Sequence, residues 1–134
     1  MHSLDRRNYA HSLTELSNWN MTAVVRTHYR MRQHTFSSKL ESLSKMSGVD
    51  AVFGTLEPDR DFKISPMVHL HLLLNINSID AKRTIAKGLK LNRSQIQQVE
   101  PIRGLFKTAR YITKLLNDSR SHHDIYINHL TPRS

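Results

Sequence analysis

The most regular apolar pattern in the chain lies between Met67 and Asn75. Five of these nine residues are leucine or valine, which is typical of a strand in the middle of a sheet. Side chains alternate between the two faces of a strand, so one face must be buried and carries Val68, Leu70, Leu72 and Leu74. The other face carries His69 and His71. Two imidazoles at this spacing lie roughly 6–7 Å apart at the backbone and can bind one metal ion.

Similar patterns predict the other elements. Thr35 is the predicted N-cap of the first helix, and Asn77 or Ser78 that of the second. The predicted elements are a strand over 20–29, a helix over 35–47, a strand over 49–57, the strand described above, a helix ending near 89, a short strand over 97–102, a helix over 105–118 and a last strand over 124–130 that could extend the sheet.

This order predicts an α+β domain of the ferredoxin-like, split βαβ type. We expect the helices to cover one face of an antiparallel sheet and to leave the other face open, with the two histidines on the open face. Residues 19–134 would form this domain. Residues 1–18 have few apolar positions, and we expect an N-terminal arm or a marginal helix there.

Composition restricts the chemistry. The chain of 134 residues has a net charge of +9 and contains no cysteine, so any metal site must use histidine and carboxylate ligands. The positive charge favours a polyanionic partner, with nucleic acid ahead of a membrane surface. No run of about 18 apolar residues is present, and no apolar segment follows Met1–Arg7. We therefore expect no signal peptide, no membrane association and a cytoplasmic location.

The helix over 105–118 carries a candidate nucleophile. Its buried stripe contains Leu105, Ala109, Ile112 and Leu116, and Tyr111 points about 120° away from that stripe. Lys107 and Lys114 flank this tyrosine at i−4 and i+3. Such lysines can stabilise a phenolate or hold a phosphate. The alternative is an ordinary surface tyrosine. Three rival tyrosines lack this pair of lysines: Tyr9, Tyr29 and Tyr126.

Two motifs together carry a resemblance to a known family. His69-Leu70-His71, followed by Tyr111-Ile112-Thr113-Lys114, resembles the HUH endonuclease superfamily, and within it the rolling-circle replication initiators (Rep proteins). In that family the histidine motif lies on a central strand and the tyrosine motif on a helix after the next strand. The resemblance covers roughly residues 20–118.

The resemblance implies a metal-dependent endonuclease and nucleotidyltransferase. His69, His71 and Glu57 would hold Mg²⁺ or Mn²⁺, with Asp59 and Asp61 as competitors for the third position. Tyr111 would attack a phosphate of single-stranded DNA and form a 5′-phosphotyrosyl link, while Lys114 orients the phosphate. The substrate would be a replication origin, which can form a hairpin, and host helicase and polymerase would complete rolling-circle replication.

Basic residues would bind the phosphates of the DNA backbone, and the candidates are Arg26, Arg30, Arg32, Lys82, Arg103 and Lys107.

Two alternative functions stay open. A single-tyrosine HUH transposase has a similar histidine strand, although Lys114 favours a Rep protein. A non-catalytic nucleic-acid-binding module would carry His69 and His71 merely as exposed strand residues. His122 and His123 are adjacent and are expected to be surface residues.

Overall fold

A computed structural model describes residues 3–27, 31–58, 68–113 and 122–128. They form four α-helices, five strands and one short 3-10 helix at Arg93–Gln95. In chain order the elements are α1 (Ser3–Leu16), β1 (Met21–Thr27), α2 (Gln33–Ser44), β2 (Val49–Pro58), β3 (Val68–Ile76), α3 (Ala81–Leu89), β4 (Ile96–Pro101), α4 (Leu105–Thr113) and β5 (His122–Ile127).

The five strands form one sheet in the order β4-β1-β3-β2-β5. All four neighbouring pairs are antiparallel. The predicted α+β class is therefore confirmed. The histidine strand, β3, is central as predicted and pairs with β1 on one side and with β2 on the other.

One face of the sheet packs against α2 and α3, and we call it the α2/α3 face. The even-numbered side chains of β3 lie here and are buried as predicted. Phe36 and Leu40 of α2 and Ile85 of α3 complete this core and are fully buried. Each such side chain contributes about 1.5–3 kcal/mol on burial, so this core supplies much of the free energy that holds the sheet.

The opposite face is partly covered by α1 and α4, and we call it the α1/α4 face. Ala10 and Leu13 of α1 and Ala109 and Ile112 of α4 pack there against Phe53 and Leu73, as one buried cluster. The expectation that helices cover only one face is therefore wrong. Residues 1–18 supply a 14-residue helix that packs on the sheet through Ala10 and Leu13, both of which are buried.

The helix caps differ from the predicted ones. The N-cap of α3 is Asp80, whose side chain accepts a hydrogen bond from the backbone N–H of Arg83 at 3.1 Å; Ser78 instead bonds to the Thr84 hydroxyl. The N-cap of α2 is Arg32 rather than Thr35, because the helix already begins at Gln33.

In the described part of the chain, no helix is long and apolar enough to cross a membrane.

Candidate active site

The strand register places a row of residues across the α1/α4 face, one from each strand. From β4 to β5 the row contains Gln98, Val24, His71, Thr55 and His123. Directly opposed residues in antiparallel strands point to the same face, so these side chains are neighbours. We call them the His71 row.

The His71 row lies where the apolar cover of this face ends. The row on one side of it contains Leu73, Phe53 and Ile125, and it packs under α1 and α4. The row on the other side contains Arg26, His69 and Glu57, whose side chains are only half-buried. The polar residues of the site are therefore held by strands whose neighbouring positions are fixed in a core.

The three predicted metal ligands share one face and one end of the sheet. Glu57 is the direct cross-strand neighbour of His69. Its Oε2 lies 3.7 Å from Nε2 of His71, whose side chain is 14% exposed. Two ligands of one octahedral Mg²⁺ lie about 3 Å apart, so this pair is close to the spacing that one ion requires. Within the described ranges, however, no three His, Cys, Asp or Glu side chains form a group that could hold a metal.

Tyr111 contacts the same histidine from the helix side. The ring centroids of His71 and Tyr111 are 5.9 Å apart, and the rings meet edge to face at 71°. Tyr111 is 53% exposed, whereas Ala109 and Ile112 of the same helix are buried. The prediction that Tyr111 turns away from its helix's core is thus confirmed, and its ring lies against His71.

A cavity of about 310 Å³ opens beside this contact, and we call it the Tyr111 cavity. Three strands and α4 form its walls, through Val24, His71, Gln98, Lys107, Tyr111 and Ile112. Lys107 is exposed and stands one helical turn before Tyr111, so it brings a positive charge to the rim. An anionic group that enters the cavity would meet the lysine, the imidazole and the phenol together.

A second cavity of about 320 Å³ adjoins the first, and we call it the Arg103 cavity. Arg103 and Glu100 line it, and it shares Thr22, Lys107 and Thr108 with the Tyr111 cavity. The shared residues make the two cavities one continuous groove along β4 and the start of α4. Two of the predicted DNA-contacting residues, Arg103 and Lys107, lie in this groove.

The rival tyrosines have less suitable surroundings. Burial, and secondly the negative charge of Asp124, raise the pKa of Tyr9, whose ring lies against Phe53 and His123. The pKa of Tyr126 is also raised, by desolvation and then by Asp124, whose carboxylate accepts its hydroxyl hydrogen bond at 3.1 Å. A raised pKa makes the phenolate harder to form. Tyr126 packs against the core of the α2/α3 face, and Tyr29 lies outside the described residues.

The structure does not bring all predicted residues together. Lys82 lies on α3, and Arg32 caps α2; both helices belong to the opposite layer. Arg26 lies on the site's own face, opposite His69. The predictions for Lys114, Arg30, Asp59 and Asp61 fall outside the described residues.

Sequence reasoning missed three residues of the His71 row. Val24 and Gln98 line the Tyr111 cavity. Thr55 is fully buried, and its hydroxyl has no hydrogen-bond partner within the described ranges. Their relation to His71 is a matter of strand register, which no local pattern in the sequence reveals. His123 belongs to the same row and is exposed, as predicted.

Comparison with protein-family models, with curated proteins and with solved structures gave no match. The fold and the site themselves define the class of this molecule. It is a basic α+β protein with a five-stranded antiparallel sheet and a groove on one face, where a histidine, a glutamate and a tyrosine from three elements meet.

Proposed function

We propose that this protein is a metal-dependent endonuclease that nicks and rejoins single-stranded DNA through Tyr111, as an HUH-type initiator of rolling-circle replication. The observation that carries the proposal is the contact of His71 with both Glu57 and Tyr111. These residues come from β2, β3 and α4, far apart in the sequence. His71 and Tyr111 belong to the two sequence motifs, and Glu57 is the third ligand that the resemblance implies.

The topology supports the ferredoxin-like interpretation of the fold. Strands β1 to β4 lie in the order β4-β1-β3-β2, with α2 between β1 and β2 and with α3 between β3 and β4. Both helices pack on the same face, as a split βαβ arrangement requires. Helices α1 and α4 and strand β5 would then be additions to that frame.

Two imidazole nitrogens and a carboxylate are ligand types that suit Mg²⁺ or Mn²⁺, and His69, His71 and Glu57 are the residues that would hold the ion. When bound, the ion would act as a Lewis acid on the scissile phosphate. His69 would supply the third ligand, because it lies directly opposite Glu57 in the strand pairing.

Tyr111 would attack the scissile phosphorus through its phenolic oxygen. The tyrosine–phosphorus bond forms as the bond from phosphorus to the 3′ oxygen breaks, and the phenolic proton is, in net terms, transferred to that 3′ oxygen. The products are a 5′-phosphotyrosyl link and a free 3′-OH, which can prime synthesis. Lys107 would stabilise the phenolate and the charge of the phosphate. Lys114, which belongs to the tyrosine motif, would do the same. The reverse reaction rejoins the strands without another energy source.

The charge of the chain supports DNA as the substrate. A net charge of +9 on 134 residues gives a long-range attraction for a polyanion. Arg103 and Lys107 place two of these charges in the groove that leads to Tyr111. A replication origin exposed as single strands is the substrate that the motifs imply, and separate host proteins would unwind and copy the DNA.

The proposal is tested by covalent adduct formation on candidate origin strands, with Mn²⁺ and with a chelator. We expect the wild-type protein to form an adduct that survives denaturation and that the chelator prevents. Tyr111→Phe should abolish the adduct and still bind the strand, whereas Tyr9→Phe should retain it. An adduct formed by Tyr111→Phe would show that Tyr111 is not the nucleophile.

One observation favours a second candidate function, a non-catalytic module that binds single-stranded nucleic acid. Among the described residues no three ligand side chains are grouped for a metal, and the groove needs no metal to bind phosphates. This candidate predicts tight, salt-sensitive binding by the wild-type protein and no adduct with Mn²⁺ on any strand.

A further inference from the structure

We propose that Gln98 recognises the base of one nucleotide next to the scissile phosphate, inside the Tyr111 cavity. The inference rests on the proposed function, because it takes single-stranded DNA as the ligand. It goes further by assigning sequence discrimination to a residue on β4. Neither sequence motif contains this residue, and the register alone brings it to the site.

The cavity has the size and composition that a nucleobase requires. Its volume of about 310 Å³ lies at the lower end of the range for small-molecule sites, about 300–1,000 Å³. Val24 and Ile112 give it apolar walls, and Tyr111 gives it an aromatic wall. Apolar and aromatic side chains hold bases by packing and stacking, whatever the base. These walls therefore account for binding but not for discrimination.

Gln98 supplies the group that can discriminate between bases. It stands in the His71 row next to Val24, and its side chain is exposed at the cavity wall. A glutamine amide has both a donor and an acceptor, so it can form two hydrogen bonds with a base edge. Gln97, the preceding residue, is exposed as well, but it is not among the residues that line the Tyr111 cavity. The register between β1 and β4 shifts at this point, so that Val25 pairs with Ile96 and Val24 with Gln98.

The charges around the cavity define how the strand would lie. Lys107 is shared by both cavities, and Arg103 lines the second one, so phosphates of the strand would follow the groove past these two residues. Glu100 also lines the Arg103 cavity, and its carboxylate would repel a phosphate placed beside it. A base turned inward from this track enters the Tyr111 cavity, where Gln98 meets its edge.

The experiment measures binding rather than cleavage, so that it does not depend on the reaction. The probe is a pool of single-stranded DNA with a randomised central segment. Proteins with Tyr111→Phe, alone or combined with Gln98→Ala, Gln98→Glu or Gln97→Ala, select strands from this pool. Sequencing of the bound strands then gives the base preference at each position for each protein.

We expect the Tyr111→Phe protein to select a short motif. Gln98→Ala should reduce the preference at one position of that motif by about 5- to 150-fold, the value of one bidentate contact to a base. The other positions should be unchanged. The Gln98→Glu variant has only hydrogen-bond acceptors on this side chain. Its base preference at that position should therefore shift toward bases that present donors, such as cytosine. Gln97→Ala should select the original motif.

Two results would overturn the inference. One is an unchanged motif with Gln98→Ala; the other is a Tyr111→Phe protein that selects no motif at all. Failure of the proposed function has a different signature, namely the absence of any covalent adduct with the wild-type protein. A base preference that depends on Gln98, found without adduct formation, would support this inference within a binding module and reject the endonuclease.

Discussion

The two faces of the sheet are built from the same strands but have different roles. On the α2/α3 face, apolar side chains continue from β4 across to β2 and are covered by two helices. On the α1/α4 face, the apolar cluster ends at the row of Phe53 and Leu73, and the His71 row begins next to it. Stability is concentrated on the first face, and the residues with reactive side chains lie on the second.

Strand β3 shows how close these two roles are in the sequence. Leu72 is fully buried on the α2/α3 face, and the preceding residue, His71, contacts Glu57 and Tyr111 on the other face. Because adjacent residues on a strand point to opposite faces, a shift of register by one residue would exchange the two sets. The leucines of β3 therefore fix the position of the histidines as well as the core.

The largest expected effect comes from a comparison of these two adjacent residues. Leu72→Ala should lower the free energy of unfolding by about 2–5 kcal/mol, because it leaves a cavity in a closed core. His71→Ala should change stability far less and should abolish adduct formation. Urea denaturation and the adduct assay measure the two outcomes. A large loss of stability with His71→Ala would mean that the second face is also primarily structural.

A smaller effect is expected at the closest approach of α2 and α3. A Cβ atom on Gly88 would lie 2.8 Å from Cα of Leu43, so the helices must separate to admit it. Overpacking costs about 1–3 kcal/mol, and the better helix propensity of alanine offsets about 1 kcal/mol of that cost. Gly88→Ala should therefore destabilise the protein by up to about 2 kcal/mol, as measured by urea denaturation.

Gly104, which precedes α4 on the other face, is the matched control for Gly88. A Cβ atom there would be 3.8 Å from its nearest neighbour, Cβ of Lys107, which is an ordinary contact. Gly104→Ala should be neutral or slightly stabilising. If Gly88→Ala proved equally harmless, the α2/α3 layer would be looser than the structure indicates, and the contrast between the two faces would weaken.

The smallest expected effect is a pH dependence on the α1/α4 face. The pKa of Tyr9 is raised above 10.0, by burial and then by Asp124. The folded protein therefore holds this proton more tightly than the unfolded chain does. The resulting stabilisation is fully present below pH 10.0 and is lost as the pH rises through the folded pKa.

Tyr9→Phe should make the loss of stability above pH 10.0 shallower. The difference in tyrosinate absorbance between wild type and Tyr9→Phe should give a midpoint above 10.0, and Asp124→Asn should move that midpoint down. A midpoint at 10.0 in the wild-type protein would show that α1 leaves Tyr9 open to water, and that this face is less covered than the other.

Much of the fold could be predicted because its local signals are strong. The run of leucine and valine in β3 and the helical spacing of Ala109 and Ile112 both reflect burial directly. The strand over 20–29 and the helix over 35–47 correspond to β1 and α2 with small differences at their ends. Such ends depend on capping contacts, and these are decided by neighbours outside the element, as the cap of α3 at Asp80 shows.

The layer to which each helix belongs could not be predicted. The stripe containing Ala109 and Ile112 shows that α4 is buried on one side, but it does not show which face of the sheet receives it. The α1 segment has few apolar residues, and they become a core only beside Phe53 and Trp19. The same limitation applies to the site. Motifs single out His71 and Tyr111, and the resemblance singles out Glu57, whereas Gln98 and Thr55 depend on register.

The packing of α1 against α4 has a consequence for the order in which the molecule assembles. Ala10 and Ala109 share one cluster although about 100 residues separate them, and closing so long a loop carries a large entropic cost. The hairpin of β2 and β3 and the pairing of α2 with α3 close shorter loops and can form earlier. The contact between α1 and α4 would thus form late and be lost early. The helix that carries Tyr111, the proposed nucleophile, would therefore gain one of its two supports late in folding.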